Sequence, residues 1–510
     1  MTNSMTRPVP AASDHDLGDD LSAGNSWPVV VVGAGPAGLV TAISLARAGI
    51  RCLVLNRRTR PAQHPRATVI SLRNMELFRS WGLADAITAG GHEVEWLMLV
   101  TTTLADAAAG VPVQVGYPSV AESALLSPTR PACVPQDHLE AVLTAHLKGL
   151  PAARLVTGID VEDVSQEPDG HHLQLHQVQS GLRMFVRCRY LIGADGSRSI
   201  VRERLGRTAF ATDEQAGAFS VLLHAPLWDV VADRRYGIYV TDQSGPATFL
   251  PAGRPDRWVF AFNWERSEGA EPPAADARLL ARIRSAAGVP DLPVRIVATN
   301  HFSFSAAIAE KFRIGDAFLV GDAAHRVTPR GGTGMNSAIA DGFNLGWKLG
   351  WRLNGWAGNA VLDSYESERR PVAEHNLIRS LDPMGSRRDS RDELAFDLGG
   401  RLAHHWLDAR QGPISTLDLL GPGLTLLTTR RHSRSIPPVV EGLPIVVHHL
   451  DRSSAAKLGA DRPGGLLLRP DGIRWDPSRL SLTDFSGRRG DQETRGLFAA
   501  VDRPEPAVAR

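Results

Sequence analysis

Apolar positions along the chain fall into two rhythms, and the change from one to the other outlines its organisation. Residues 29–32 are four consecutive valines that run into the glycine cluster GAGPAG at 33–38; an apolar pattern of helical spacing then continues to Ala48 and stops at Gly49. A short β-branched run, a turn that needs glycine and a 3.6-residue repeat predict strand, loop and helix in succession. Similar strand-to-turn junctions recur. Residues 51–55 read as a strand ending at Asn56, 189–193 as a strand ending in the Asp195-Gly196 turn, and 317–320 as a buried strand broken by Gly321-Asp322. After Pro329 come Gly331, Gly332 and Gly334, then a helix carrying Met335, Ala338, Ile339, Gly342, Leu345 and Leu349 along one side. Further helices are expected over 71–81, from Pro135 through QDHLEAVLTAHL, and over 361–380, where Pro371 should kink or restart the helix.

From about residue 215 to 304 the period becomes two, with strands at 235–240, 247–250 and 257–264 joined by QSG and PAGRPD turns. That pattern predicts an antiparallel meander, and 93–127 should add strands to it. Trp258, Phe260, Phe262 and Trp264 share one face. A sheet core covered by helices is the favoured reading of that face, with a substrate-cavity wall as the alternative. Beyond residue 400, STLDLLGPGLTLL, GLPIVVHHL and GGLLLRPDGIRWD suggest a separate small α/β module, with a hairpin at 466–476 turned by Pro470-Asp471-Gly472. Nothing there is arranged for chemistry, so packing or association is its simplest role, and a homo-oligomer is compatible with it.

Composition narrows the class. The 510 residues are 43% hydrophobic, enough for about three domains at ~150 residues each. The expected division is a disordered leader at 1–26; a dinucleotide domain over 27–92, 126–210 and 300–395; a substrate domain over 93–125 and 211–299; and the module at 400–510. Lys plus Arg is 56 against 55 for Asp plus Glu, which supports no nucleic-acid or acidic-membrane partner. Cys52, Cys133 and Cys188 have neither CxxC nor metal-ligand spacing, so no metal is expected and a reducing cytoplasm is the expected setting. The leader has no apolar stretch of the signal-peptide kind, and no run of 18 or more apolar residues occurs.

Glycines between a strand and a helix let a pyrophosphate approach the backbone while the helix start faces its charge. Asn56 stands where an Asp or Glu would hold the ribose, and Arg57 and Arg58 beside it leave FAD against NADP open on these residues alone. Arg66, in HPRA, and Gln136, at a helix start, could reach a nucleotide. Asp195 and Asp322 lie at strand carboxyl ends, where open α/β sheets bind ligands. The helix opening at Gly334 favours an anion by roughly 0.3 to 1 kcal/mol, up to ~2 when partly buried. A reduced flavin would be such an anion. His325 is read as a structural hydrogen-bonding residue before an acid–base group. No second strand-GxGxxG-helix occurs, so a pyridine nucleotide would bind transiently.

GAGPAG at 33–38, GADGS at 193–197 and GDAAH with its glycine loop at 321–334 occur in this order. Over 29–380 the chain resembles the flavoprotein aromatic hydroxylases built like para-hydroxybenzoate hydroxylase. RGGTGMNSAIADGFNLGWKL and DSYESERRPVAEHN are most similar to the actinomycete polyketide hydroxylases of tetracenomycin type. The resemblance implies an α/β fold, with a Rossmann-like FAD-binding domain, an α+β substrate domain built on an antiparallel sheet, and a C-terminal thioredoxin-like domain lacking redox cysteines. It also implies non-covalent FAD. Gly33, Gly35, Pro36, Ala37 and Gly38 would hold the pyrophosphate, Asn56 the adenosine ribose, and Arg66 and Gln136 the nucleotide half or ribityl chain. Gly321 and Asp322 would meet the ribityl hydroxyls, while Pro329, Gly332, Gly334, Met335 and Asn336 would line the isoalloxazine. Asp195 would link the FAD site to that of the reductant. The implied reaction is flavin-centred: NADPH or NADH reduces FAD, O2 forms a flavin C4a-hydroperoxide, and one oxygen enters an aromatic polyketide-type phenol or quinone. Baeyer–Villiger or epoxidising chemistry, or a catabolic phenol hydroxylase, are the rival activities on this scaffold; a flavin-binding protein without turnover is the rival outside enzymology.

Overall fold

The computed structural model describes residues 26–60, 64–206, 209–211, 217–264, 277–409, 412–430, 439–440 and 443–475. Residues 1–25 of the expected leader and the end of the expected hairpin at Asp476 lie outside these, while Ser26, counted with the leader, begins the first strand. The first sheet is built around β1 (Ser26–Val32), β2 (Cys52–Asn56), β3 (Arg183–Gly193) and β4 (Ala317–Leu319), in the order β4-β3-β1-β2, with Ala153–Thr157 beyond β2. All these neighbours pair in parallel. Val29, Val30, Val31, Leu53, Val54, Leu191 and Ile192 are buried, as expected of parallel strands covered on both faces. The register sets Val32 opposite Gly193 and Leu55, and Gly193 opposite Leu319, so the strands deliver their carboxyl-terminal turns to one edge.

Helix α1 (Pro36–Arg47) follows β1, and α2 (Leu72–Ser80) is capped by the Ser71 hydroxyl. α3 (Gln136–Lys148) packs against α1. α4 (Gly334–Leu353) is buried along nearly its whole length rather than on one side, and includes buried Asp341 and Lys348. α5 (Ala360–Leu381) runs unbroken through Pro371, so the expected restart does not occur. Proline inside a helix costs about 3 kcal/mol. Anchors on both sides of it offset that cost: before it, Tyr365 donates to the Leu319 carbonyl at 2.7 Å and Arg369 reaches the Asp341 carboxylate at 2.7 Å, and after it Asn376 donates to the Ser337 hydroxyl at 3.0 Å.

The second sheet has seven strands in the order Arg295–Ser303, Gly217–His224, Arg257–Asn263, Ala247–Pro251, Tyr236–Thr241, Glu95–Thr101 and Val111–Gln114. It is antiparallel except where Tyr236–Thr241 meets Glu95–Thr101. Trp258, Phe260, Phe262 and Trp264 are buried with Phe219, Val221 and Leu279, Ile283 of the covering helix Ala277–Ala287. They are core, and the cavity-wall alternative for them falls away. The opposite face carries a smaller apolar cluster of Leu222, Ala252 and Val259, with Leu250, Ala261 and Ala298 against it.

In the C-terminal part, Leu424–Thr429 lies parallel to Leu443–Leu450 and antiparallel to Leu466–Leu468, and the Trp475 N–H donates to the Leu467 carbonyl at 2.8 Å in the expected hairpin. Its core is only partly its own. Leu424, Leu426, Leu443, Ile445, Leu467 and Trp475 join the cluster containing β1 and α4, so this module is continuous with the first sheet's core.

Candidate functional site

The three glycines of GAGPAG meet three different surroundings. Gly33 has φ +106°, and a Cβ there would lie 2.2 Å from the Ala194 carbonyl oxygen. A Cβ on Gly38 would lie 2.0 Å from the Gly33 carbonyl oxygen, whereas one on Gly35 would meet nothing within 4 Å. Two glycines thus allow backbone to touch backbone, and the middle one leaves a space. Gly35 also precedes α1, where no side chain caps the first turn and Pro36 takes the position that needs no N–H partner. An open cradle lined by uncapped amides fits a pyrophosphate.

A second helix start is brought to the same end by a glycine seam. A Cβ on Gly342 would lie 2.5 Å from the Ala37 carbonyl, on Gly346 2.4 Å from Ser44 Cβ, and on Gly350 3.0 Å from Ala48 Cβ. Partners rise in number together along both helices, so α4 lies parallel to α1, backbone close to backbone. Each amino terminus carries roughly half a positive charge. Between them sits Gly321 at φ +60°, whose Cβ would be 3.1 Å from the Cβ atoms of both Ala37 and Ala338. Asp322 follows, partly exposed, and its carboxylate takes no hydrogen bond among the described residues. Asn56, at the end of β2, is likewise partly exposed and unengaged among the described residues.

The chain between Gly321 and Gly334 is tied down by remote side chains. Asp341, fully buried, accepts from the Gly321 N–H at 3.1 Å, His325 Nε2 at 2.6 Å and Arg369 Nε at 2.7 Å. Burial alone would raise the Asp341 carboxyl, but the His325 and Arg369 charges and hydrogen bonds outweigh it and hold it below the usual range. His325 thus makes a buried hydrogen bond of the kind a structural role calls for. Farther on, Thr328 donates twice to Ser380, from its N–H to the hydroxyl at 3.2 Å and from its own hydroxyl to the carbonyl at 2.6 Å. The Gly331 N–H donates to Ser386 Oγ at 3.2 Å, and buried Arg379, paired with Glu393, donates to the Gly331 carbonyl at 3.2 Å. The Gly332 carbonyl accepts from Tyr117 at 3.2 Å and Asn336 Nδ2 at 3.1 Å. Among the described residues no side chain caps α4, and Gly334 opens it.

Several expected ligands have other occupations. Asn336 uses its amide on protein: Oδ1 accepts from the Ser71 N–H at 2.8 Å and Asn74 Nδ2 at 3.0 Å, and Nδ2 donates to the carbonyls of Val69 and Gly332. Its side chain is a clamp between α2 and α4, which leaves only its backbone for the isoalloxazine. Met335 is buried in the main core, and Pro329 is exposed. Asp195 binds the Ser199 hydroxyl at 2.6 Å and the Val201 N–H at 3.2 Å; these contacts make it a local cap, although its turn abuts Gly33. Gln136 donates to Glu140 at 2.7 Å, and its N–H takes the Ala67 carbonyl. Burial raises the Glu140 carboxyl, with Gln136, Arg58 and Arg66 pulling it back. Arg66 is exposed near that carboxylate.

Sequence reading missed Asp341, Arg379, Tyr117 and the group of buried Lys348, Arg469 and Asp471 with half-buried Glu368, which joins α4 and α5 to the C-terminal module. A carboxylate and a lysine inside an apolar helical repeat were the available signal; their partners were not.

The FAD binding domain family matches residues 26–380. Tetracenomycin B2 monooxygenase-dioxygenase of Streptomyces olivaceus is 31% identical, covering 88% of this chain and 94% of that protein. Aklavinone 12-hydroxylase RdmE of Streptomyces purpurascens is 30% identical, covering 87% and 94%. Among solved structures, a ternary complex of aklavinone-11 hydroxylase with FAD and aklavinone aligns with a TM-score of 0.79 at 28% identity, covering 93% of this chain and 98% of that one.

Proposed function

This chain belongs to the FAD-dependent aromatic polyketide hydroxylase family, and on that premise we propose that it consumes NADPH or NADH to insert one oxygen atom of O2 into a polycyclic aromatic phenol or quinone. Support comes from the parallel packing of two uncapped helix starts beside the open space at Gly35 and the unengaged Asp322. Gly35, Pro36 and Ala37 would hold the pyrophosphate, with Gly33 and Gly38 closing the turn around it. Asn56 would take the adenosine ribose and Asp322, presented by Gly321, the ribityl hydroxyls. Amides at the start of α4, from Gly334 onward, would face the pyrimidine edge of the ring, and Arg66 and Gln136 would lie toward the nucleotide half. Bound FAD supplies the electron transfer and oxygen activation; the protein supplies orientation, electrostatics and exclusion of water.

For the substrate wall we assign the face of the second sheet carrying Leu222, Ala252 and Val259, in place of the Trp and Phe face. Ser220, on the same strand and parity as Leu222, lies 3.3 Å from His64 Nε2 of the HPRA loop, which brings this face toward the FAD-binding part. An apolar wall recovers about 25 cal/mol per Å² buried, so a large fused ring gains more than a single ring. For the C-terminal module we propose a thioredoxin-like fold with a structural role, consistent with its shared core. Three free, buried cysteines suit a cytoplasmic setting.

Mass spectrometry of products from enzyme, NADPH, O2 and a panel of phenols, naphthacenes and anthraquinones tests the proposal. Hydroxylated polycyclic products are expected. Well-coupled hydroxylation of simple phenols, with polycyclic compounds neither binding nor stimulating flavin reduction, would replace it with a catabolic phenol hydroxylase. A lactone or epoxide product would move it to Baeyer–Villiger or epoxidising chemistry.

A further inference from the structure

We propose that Tyr117 and Arg379 are positioning residues that orient two consecutive peptide groups of the glycine loop, so that the Thr333 N–H at the threshold of α4 is aimed at the flavin; the proposal rests on the FAD reading above. A trans peptide is planar, with its C=O and N–H pointing in opposite directions. The Gly332 carbonyl is held from one side by the Tyr117 hydroxyl at 3.2 Å and Asn336 Nδ2 at 3.1 Å. The Thr333 N–H of that peptide therefore points away from Tyr117, where it has no partner among the described residues. Thr333 Oγ1 is also buried without a partner among the described residues. One peptide earlier, the Gly331 carbonyl is held by Arg379 Nη2 at 3.2 Å, and the Gly332 N–H closes a turn onto the Pro329 carbonyl at 3.1 Å. Left to itself, a run of glycines adopts many peptide orientations. Here both carbonyls are pinned on the protein side.

The surroundings make the two residues specific for this task. Gly331 has φ +84°, and a Cβ on it would lie 2.7 Å from Arg379 Nη2, so the guanidinium reaches the loop only because glycine is there. Arg379 is 4% exposed, and its other nitrogens are fixed by the Gly385 carbonyl at 3.2 Å and by Glu393. Tyr117 packs against Trp96 with ring centroids 5.3 Å apart, and burial pushes its hydroxyl far above the ordinary value, which keeps it a donor. With the carbonyls pinned, the Thr333 N–H needs no reorganisation when negative charge develops at the N1 edge of a reduced flavin.

The test uses full-length Tyr117→Phe, Arg379→Lys and Arg379→Gln, each at saturating FAD. The N1 pKa of the anaerobically reduced flavin is read by absorbance, and thermal melting is recorded beside it. Tyr117→Phe should weaken stabilisation of the N1 anion about threefold, raising its pKa by about half a unit. Arg379→Lys keeps the charge but loses the fork, and should shift the titration in the same direction. Arg79→Ala, which removes an ion pair with Asp418 remote from the loop, should leave the titration unchanged. The proposal is overturned if Tyr117→Phe and Arg379→Lys lower the melting temperature yet titrate like the parent. Should Arg379→Gln fail to fold, these two variants still decide. Failure of the parent protein to bind FAD at all would instead overturn the underlying reading.

Discussion

The turn before α1 is held by its own neighbourhood: Gly33 and Gly38 touch the backbone of each other and of Ala194, and the Gly33 N–H donates to the Leu55 carbonyl at 2.7 Å. The longer loop before α4 is held from afar, by Asp341, Arg369, Arg379, Glu393, Ser380, Ser386 and Tyr117. Both present uncapped amides to one region. Steric contact fixes the first, and hydrogen bonds between charged and polar side chains fix the second. The difference matters because a cradle for phosphate needs only a fixed backbone, whereas a loop that meets a redox centre needs its peptide dipoles aimed.

This contrast yields predictions of decreasing size. Asp341→Ala should be the most damaging, because it strands Arg369 and His325 in the core; breaking a buried pair from one side costs about 3–5 kcal/mol. Denaturant unfolding measures it, and a loss under ~1 kcal/mol would mean that charge does not hold the second loop. Gly38→Ala should cost about 1–3 kcal/mol or more, since its Cβ would overlap the Gly33 carbonyl at 2.0 Å. Gly35→Ala sharpens the point. Its Cβ meets nothing within 4 Å, so the melting temperature without FAD should be unchanged, while FAD affinity in a fluorescence titration falls at least about tenfold, roughly 1.4 kcal/mol. Unchanged affinity would show that the space at Gly35 is not where the pyrophosphate lies.

Acid should separate the two loops without any substitution. Burial would raise Glu368, but Lys348 and Arg469 pull it down to about 2, and Asp341 is also lowered. A depressed carboxylate contributes stability that is fully present above its unfolded value, about 4.3 for Glu and 3.9 for Asp, and lost as pH falls through the folded value. Between about pH 4 and 2, hydrogen exchange should therefore loosen α4, α5 and the 321–334 loop before α1. Simultaneous loosening of both would erase the distinction. Lys348, lowered by burial to about 8, acts at the other end: the unfolded chain binds more protons between there and 10.5, so stability should rise over that window.

Much of the fold was legible because its signals are local. Four valines followed by GAGPAG state a strand, a turn and a helix within 20 residues, and the period-two segment from 215 to 304 states an antiparallel sheet. Trp258, Phe260 and Phe262 were legible as one face, and the covering helix Ala277–Ala287 made that face core. The place of Asn336 beside the glycine loop suggested a ligand, while Ser71 and Asn74, which engage its side-chain oxygen, lie more than 260 residues away in sequence. Pro371 was expected to kink or restart α5 because proline acts locally; the partners of Tyr365 and Arg369 that keep the helix whole come from β4 and α4.

The sequence by itself determined the strands, the two glycine turns, the helices they open and the carboxylate at Asp322, since each is encoded by residues adjacent along the chain. Tertiary structure alone decided that α1 and α4 lie parallel along Gly342, Gly346 and Gly350, and that Asp341 meets Arg369 and Tyr117 meets Gly332. A backbone period states which way a side chain faces. Its partner depends on which segments the hydrophobic core draws together, and that is settled only when the whole core closes.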